Sequence, residues 1–174
     1  MRETDAEVEA LQALLDASHA RATDHLRSII SDDRVLSAQD LVRLLTGVKV
    51  LSVATVTARG EPRISAMDGH FLHGTWSFGT SGSSAKAAHL SARPQVSVAH
   101  VDGEQLGVFS HGRAEQLVAG DADLDETVAH WTRHYGRSPL ELGPDVRLYR
   151  YRPTWMVGYA ADREALLAQV AAER

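Results

Sequence analysis

VKVLSVATVTARGEPRISAMDGHFLHGTWSFGTS, residues 48–81, is the stretch that decides the fold. Residues 48–57 are rich in Val, Thr and Leu and alternate, as a half-buried strand does. Arg59-Gly60-Glu61-Pro62 is a turn, and residues 63–72 form a second strand. His73-Gly74 reads as a hairpin turn into a third strand, 75–80. Such short connections leave little room for crossover helices, so a parallel α/β sheet is not expected.

The pattern continues downstream. Residues 81–92 read as a small-residue loop and a short helix, stopped at Arg93-Pro94. Residues 95–101 alternate, Asp102-Gly103 is a turn, and 106–118 form a longer strand. Residues 121–135 are helical, with Asp121, Asp123, Asp125 and Glu126 favouring the N-terminal turn. Residues 146–159 form a last strand in which Pro153 marks a kink or an edge, and 162–173 a closing helix. The pattern points to a mainly β fold with helices: six short, mainly antiparallel strands in a closed or partly closed barrel, plus an N-terminal helical extension.

Upstream, residues 4–30 read as one amphipathic helix, capped by Thr4, with Val8, Leu11, Leu15, Ala22, Leu26 and Ile29 on its seam. It is expected to pack on the domain or on a partner subunit. A turn follows at 31–34. Ser37 then caps a short helix, with Asp40 as its capping-box partner and Gly47 as its stop. The chain divides into a helical extension (1–45), a barrel domain (46–160) and a C-terminal helix (161–174).

Composition bounds the function. The 174 residues are 44% hydrophobic and 24% charged, ordinary for one globular domain. No apolar run reaches 18 residues, and the acidic start carries no signal-peptide core, so a cytoplasmic protein without membrane contact is expected. With no cysteine, thiolate zinc sites, iron–sulfur clusters and cysteine nucleophiles are excluded. Residues 1–45 carry nine acids against five arginines, and the rest 14 acids against 13 bases, so no nucleic-acid footprint is expected.

Gly79-Thr80-Ser81-Gly82-Ser83-Ser84-Ala85-Lys86 carries the most chemistry. It follows a strand and opens a helix, and it offers hydroxyls, backbone N–H groups and one of only two lysines in the chain. Those are the donors a phosphate needs. It is neither a Walker A loop nor a nucleophile elbow. No Gly-x-Gly-x-x-Gly follows a strand. His130 and His134 share a helix face, and His70 and His73 lie near a turn. Neither pair has the further ligands zinc needs, so no metal is expected and these histidines read as solvated or edge residues. Arg133, Arg137, Arg147, Arg150 and Arg152 form either a solvated edge or an anion-attracting rim.

The order of these parts resembles the pyridoxamine 5'-phosphate oxidase-like, FMN-binding split-barrel superfamily over about residues 46–160. The resemblance rests on the strand 50–56, Gly60-Glu61-Pro62-Arg63-Ile64-Ser65, the strand and loop 75–81, Ser84-Ala85-Lys86-Ala87-Ala88-His89-Leu90, Arg93-Pro94-Gln95-Val96-Ser97-Val98 and Gly112-Arg113-Ala114-Glu115. It implies a six-stranded antiparallel split β-barrel that forms a homodimer, with flavin sites at the subunit interface. It implies Thr80, Ser81, Ser84 and Lys86 at the flavin phosphate, and Arg63, Ser65, Ala66 and Met67 along the ring. Trp131 and Trp155 are candidates to complete the pocket from the partner subunit.

Two departures separate the chain from true pyridoxamine phosphate oxidases. Ala85 stands where they have an arginine before the lysine, and 146–153 replaces their C-terminal signature. The pattern looks more like the flavin- and deazaflavin-dependent oxidoreductase branch. The implied function is transfer of electrons or hydride to or from a small molecule by bound FMN or, alternatively, a deazaflavin coenzyme. The other reading is a non-catalytic flavin, deazaflavin or haem binding module, with His70, His73, His89 or His111 as the haem ligand.

Overall fold

The structure, a computed structural model, describes residues 3–31 and 33–172. Among the described residues, six strands close an antiparallel barrel: β1 (Val48–Val56), β2 (Pro62–Leu72), β3 (Thr75–Ser81), β4 (Gln95–Asp102), β5 (Leu106–Gln116) and β6 (Val146–Ala160). Their order around the wall is β1-β2-β3-β6-β5-β4. Helices α1 (Asp5–Ala20), α2 (Asp24–Ile29), α3 (Ala38–Leu44), α4 (Ala85–Ala92), α5 (Ala122–Tyr135) and α6 (Arg163–Ala172) complete the molecule. The expected mainly β, six-stranded antiparallel barrel with an N-terminal helical part is the fold observed.

Alternation along the strands fills the barrel. Leu51 and Val53 of β1, Met67 of β2, Phe78 of β3, Val98 of β4, Val108 of β5 and Tyr149 and Tyr151 of β6 are all buried. His73 and Gly74 both take positive φ, 55° and 71°, the twist a two-residue hairpin needs. His73 is held there by Glu7 of α1, 2.8 Å away, and Glu126 of α5, 3.2 Å away. Where β5 meets β6 the register slips at His111/Gly112, and Pro153 pairs with Gly112. Pro153 has no N–H for the ladder, so the irregularity sits where the ladder is weakest.

One expectation fails upstream. The helix read over 4–30 is two helices. Arg21 ends α1, and Thr23 starts α2 by accepting the Leu26 N–H at 3.2 Å. The break lets both Ala22 and Ile30 reach the interior. α1 packs on its own barrel: Leu11 and Leu15 join the core, and the Ser18 hydroxyl accepts the Met156 N–H at 3.0 Å. The turn at 31–34 closes through Arg34 N–H to Ser31 O at 2.8 Å, with Asp32 outside the described residues. α6 ends at Ala172, and Glu173 also lies outside them. No described helix is long and apolar enough to cross a membrane.

The barrel is open on one side at one end. β2 and β3 pair only from Gly69↔Phe78 to Leu72↔Thr75. Beyond Gly69, residues 62–68 pair with β1 alone, and 79–81 pair with β6. A split therefore opens between β2 and β3. α4 packs at this end, against β1 and β3.

Candidate functional site

β3 hands the chain to α4 through residues 82–84. Ser84 caps α4: its hydroxyl accepts the Ala87 N–H at 3.2 Å. Its own N–H donates to Ser81 O at 3.0 Å, which closes the turn. Thr80 Oγ1 lies 3.2 Å from Ser84 Oγ, and Ser81 Oγ 2.8 Å from Ser83 Oγ. The first turn of α4 directs its N–H groups toward this hydroxyl cluster. Lys86 is half-exposed and enters none of the ion pairs among the described residues. Thr80, Ser81 and Ser84 are thus brought together, with Lys86 one step into the helix.

The second-strand group divides by strand parity. Arg63, Ser65 and Met67 point to one side of β2 and Ala66 to the other. Met67 is buried in the core, Ser65 half-buried, and Ala66 and Arg63 exposed. The Arg63 guanidinium bonds Glu61 at 2.8 Å and so turns back to its own loop. The Thr55 hydroxyl lies 3.0 Å from His89 Nδ1 of α4 and 3.5 Å from Arg63 O, tying α4 to the foot of β2. The hydroxyl loop, α4 and the start of β2 therefore share one end of the barrel.

Beside the loop stand Arg147, one of the expected rim arginines, and two residues the sequence did not place there, Asp145 and Tyr149. Gly82 N–H donates to Asp145 O at 2.6 Å. A Cβ on Gly82 would strike the Asp145 carboxylate and the Arg147 guanidinium, so both side chains lie directly on the loop. Arg147 pairs in register with Thr80 and sits 3.4 Å from the Asp145 carboxylate. Two residues on, Tyr149 is 2% exposed, and its buried hydroxyl has no hydrogen-bond partner among the described residues. Burial raises its pKa, nearby Arg147 pulls against that, and the Asp145 charge adds to the rise. The other arginines of the expected rim go elsewhere. Arg150 pairs with Asp123, Arg152 bonds Glu115 at 2.9 Å, and Arg133 and Arg137 are exposed.

The reading of the histidines as solvated or edge residues is corrected for His70, whereas His134 is exposed as that reading has it. α5 covers the outer face of β2 and β3, and His70 beneath it is fully buried. His70 Nδ1 lies 2.9 Å from His130 Nε2, and its Nε2 3.4 Å from Tyr135 OH. Tyr135 donates to Asp68 Oδ2 at 3.1 Å; burial first, then the Asp68 charge, pushes its pKa up to about 12. Trp131 Nε1 donates to Ser77 Oγ at 3.2 Å, so this buried ring is committed to its own subunit. Trp155 stacks on His111, with ring centres 4.9 Å apart. Among the described residues, no three His, Asp or Glu side chains converge to hold a metal ion.

A hydroxyl-rich loop that opens a helix thus lies beside the split of an antiparallel barrel. The family model for pyridoxamine 5'-phosphate oxidase matches residues 38–156. The chain belongs to that family. The match starts with α3 and reaches into β6, so it takes in the loop and α4 and leaves α1 and α6 outside. No curated protein matches the sequence.

Among solved structures, the conserved hypothetical protein Rv2991 from Mycobacterium tuberculosis is 22% identical, with TM-score 0.62 over 78% of this chain and 91% of that one. HutZ, a haem storage protein from Vibrio cholerae, is 20% identical, with TM-score 0.55 over 64% and 86%. An F420 reductase is 23% identical, with TM-score 0.51 over 65% and 92%. At these identities the likeness is one of fold.

Proposed function

We propose that the chain is a cytoplasmic, homodimeric flavin-dependent oxidoreductase that binds FMN, with a deazaflavin coenzyme as the alternative, and passes electrons or hydride to or from a small molecule. The observation that carries the reading is the loop after β3: a Ser84-capped helix, the Thr80 and Ser81 hydroxyls, and a lysine with no carboxylate partner among the described residues. Bound flavin would supply the electron chemistry, and the protein would bind, orient and shield it. Ser84 and Thr80 would donate to phosphate oxygens, and Lys86 would neutralise their charge. Residues 62–68 lack a strand partner on the β3 side, which leaves backbone N–H and C=O groups facing the split for a ring edge.

The outward face supports the dimer. Val50, Ile64 and Val101 are 61%, 73% and 55% exposed, on adjacent strands β1, β2 and β4. Ala54, Ala66 and Ala99 lie between them on the same side. Exposed apolar side chains grouped on one sheet face, with Ser52, Asp68 and Ser97 among them, suit contact with a second copy of the chain. The histidines weigh against the haem module. His70 meets His130, His73 bridges two carboxylates, His89 meets Thr55, and His111 bonds Ser97 at 2.8 Å.

The test is a visible spectrum of the purified protein, then fluorescence titration with FMN and with the deazaflavin coenzyme. Lys86→Ala is expected to weaken the bound cofactor by about 1.5–3 kcal/mol, the range for a charge-assisted contact. Unchanged affinity in that variant removes the phosphate assignment. A Soret band would point to the haem-binding module instead.

A further inference from the structure

We infer that Arg147 and the Tyr149 hydroxyl are two further phosphate donors of the loop, and that the Asp145 carboxylate is an internal anion that competes with the phosphate for them. The inference rests on the flavin-phosphate reading above and adds the residues that set its strength. Arg147 is the arginine that reaches the loop, against Gly82 and in register with Thr80. Among the described residues its side chain is partnered by Asp145, at 3.4 and 3.5 Å. Those distances exceed the roughly 2.7–2.9 Å of a good charge-assisted bond, so the pair is loosely held. Tyr149 is the second, independent observation. A phenol this buried normally finds a partner, and an unmade hydrogen bond is costly. Tyr149 stands two residues from Arg147 on the same side of β6, and Arg147 and Asp145 are the two side chains that line Gly82.

The Asp145 side chain is 51% exposed and the Arg147 side chain 32%. Asp145 is therefore free to swing into solvent while the more buried Arg147 stays on the loop. A phosphate dianion in place of the single carboxylate charge would offer more acceptor oxygens to Arg147, Tyr149 and the α4 amides. While Asp145 remains, its charge repels that dianion.

The experiment compares dissociation constants for FMN and for riboflavin, which lacks the phosphate, at low salt and neutral pH. The proteins are the full chain and the variants Asp145→Asn, Arg147→Gln and Tyr149→Phe. If FMN does not saturate and the deazaflavin coenzyme does, that coenzyme and its dephosphorylated form replace the pair. Asp145→Asn is expected to tighten FMN about threefold to tenfold, as removal of a like charge should. Arg147→Gln is expected to weaken it about tenfold, and Tyr149→Phe about threefold. Riboflavin affinity should stay within about twofold in all three, because none of these contacts reaches the ring.

A gain of affinity cannot come from misfolding, so Asp145→Asn guards the test. If wild type binds the phosphorylated ligand and Asp145→Asn binds it no better, the inference fails and the flavin reading stands. The inference fails in the same way if Arg147→Gln leaves that affinity unchanged, or if the variants shift both ligands equally. If wild type binds neither cofactor, both the inference and the flavin reading fail.

Discussion

Replacing Asp40 by Asn is expected to destabilise the fold by about 2 kcal/mol at neutral pH, and the loss should vanish in acid. Asp40 is 3% exposed, a rare setting for a carboxylate. Its Oδ2 accepts the Ser37 N–H at 2.9 Å, the Ser37 hydroxyl at 2.8 Å and Arg163 Nε at 2.8 Å, with Arg163 Nη2 also 2.8 Å away. One carboxylate therefore closes the capping box of α3 and pins α6 to it. Hydrogen bonds to a charged group are worth about 1.5–3 kcal/mol, and severing a fully buried ion pair costs about 3–5. Arg163 is 37% exposed and turns to water when its partner loses charge, so the lower range applies. Asn keeps an acceptor for Ser37, which spares the cap. For a chain of this length about 2 kcal/mol corresponds to a fall in Tm of about 4–8 °C.

The pH dependence gives the sharper check. Burial alone would raise the Asp40 pKa, but the Arg163 and Ser37 hydrogen bonds and the Arg163 charge outweigh it, and the net shift is below the ordinary 3.8. A carboxylate with a depressed folded-state pKa adds stability above its unfolded pKa and loses it as pH falls through the folded one. The difference between wild type and Asp40→Asn should be flat from pH 8 to about 5, shrink below about pH 4 and disappear in stronger acid. Urea melts followed by circular dichroism at several pH values measure it. A gap under about 0.5 kcal/mol at pH 7, or one that persists at the lowest pH where the fold survives, would refute the reasoning.

Two further outcomes follow from the same structure. Ile64→Glu places a charge on the exposed β2–β1–β4 face; sedimentation velocity should show a monomer with an unchanged circular dichroism spectrum, and a persisting dimer would move the interface elsewhere. Trp131→Ala removes the largest side chain of the small cluster under α5, together with its bond to Ser77. It should cost about 3–5 kcal/mol and loosen α5 first, seen as faster amide exchange over residues 122–135 than in the barrel strands.

What the sequence makes legible is what it decides locally. Ser37 with Asp40, and His73-Gly74 between two alternating runs, each carry their own signal, and each sits where that signal puts it. The break at residues 21–23 was hidden, because Arg21 and Ala22 are good helix formers and only Thr23-Asp24 hints at a new start. The burial of Ala22 and Ile30 decides it, and that is tertiary. His70 shows the same limit. Nothing near it in sequence announces His130, because their meeting depends on α5 folding back over β2.

The site divides along the same line. The hydroxyls and Lys86 lie within seven residues and are readable as a motif, whereas Arg147 reaches Thr80 only because β6 pairs with β3 after two other strands have been laid down. The family's loop arginine is replaced by Ala85, which on sequence alone argues for a weakened phosphate site. In space an arginine stands against Gly82 all the same, delivered from the opposite strand and checked by Asp145. The strength of an anion site is set by the charges that converge on it, whatever their distance in sequence. An arginine at 85 is therefore not the one route by which positive charge can reach this loop.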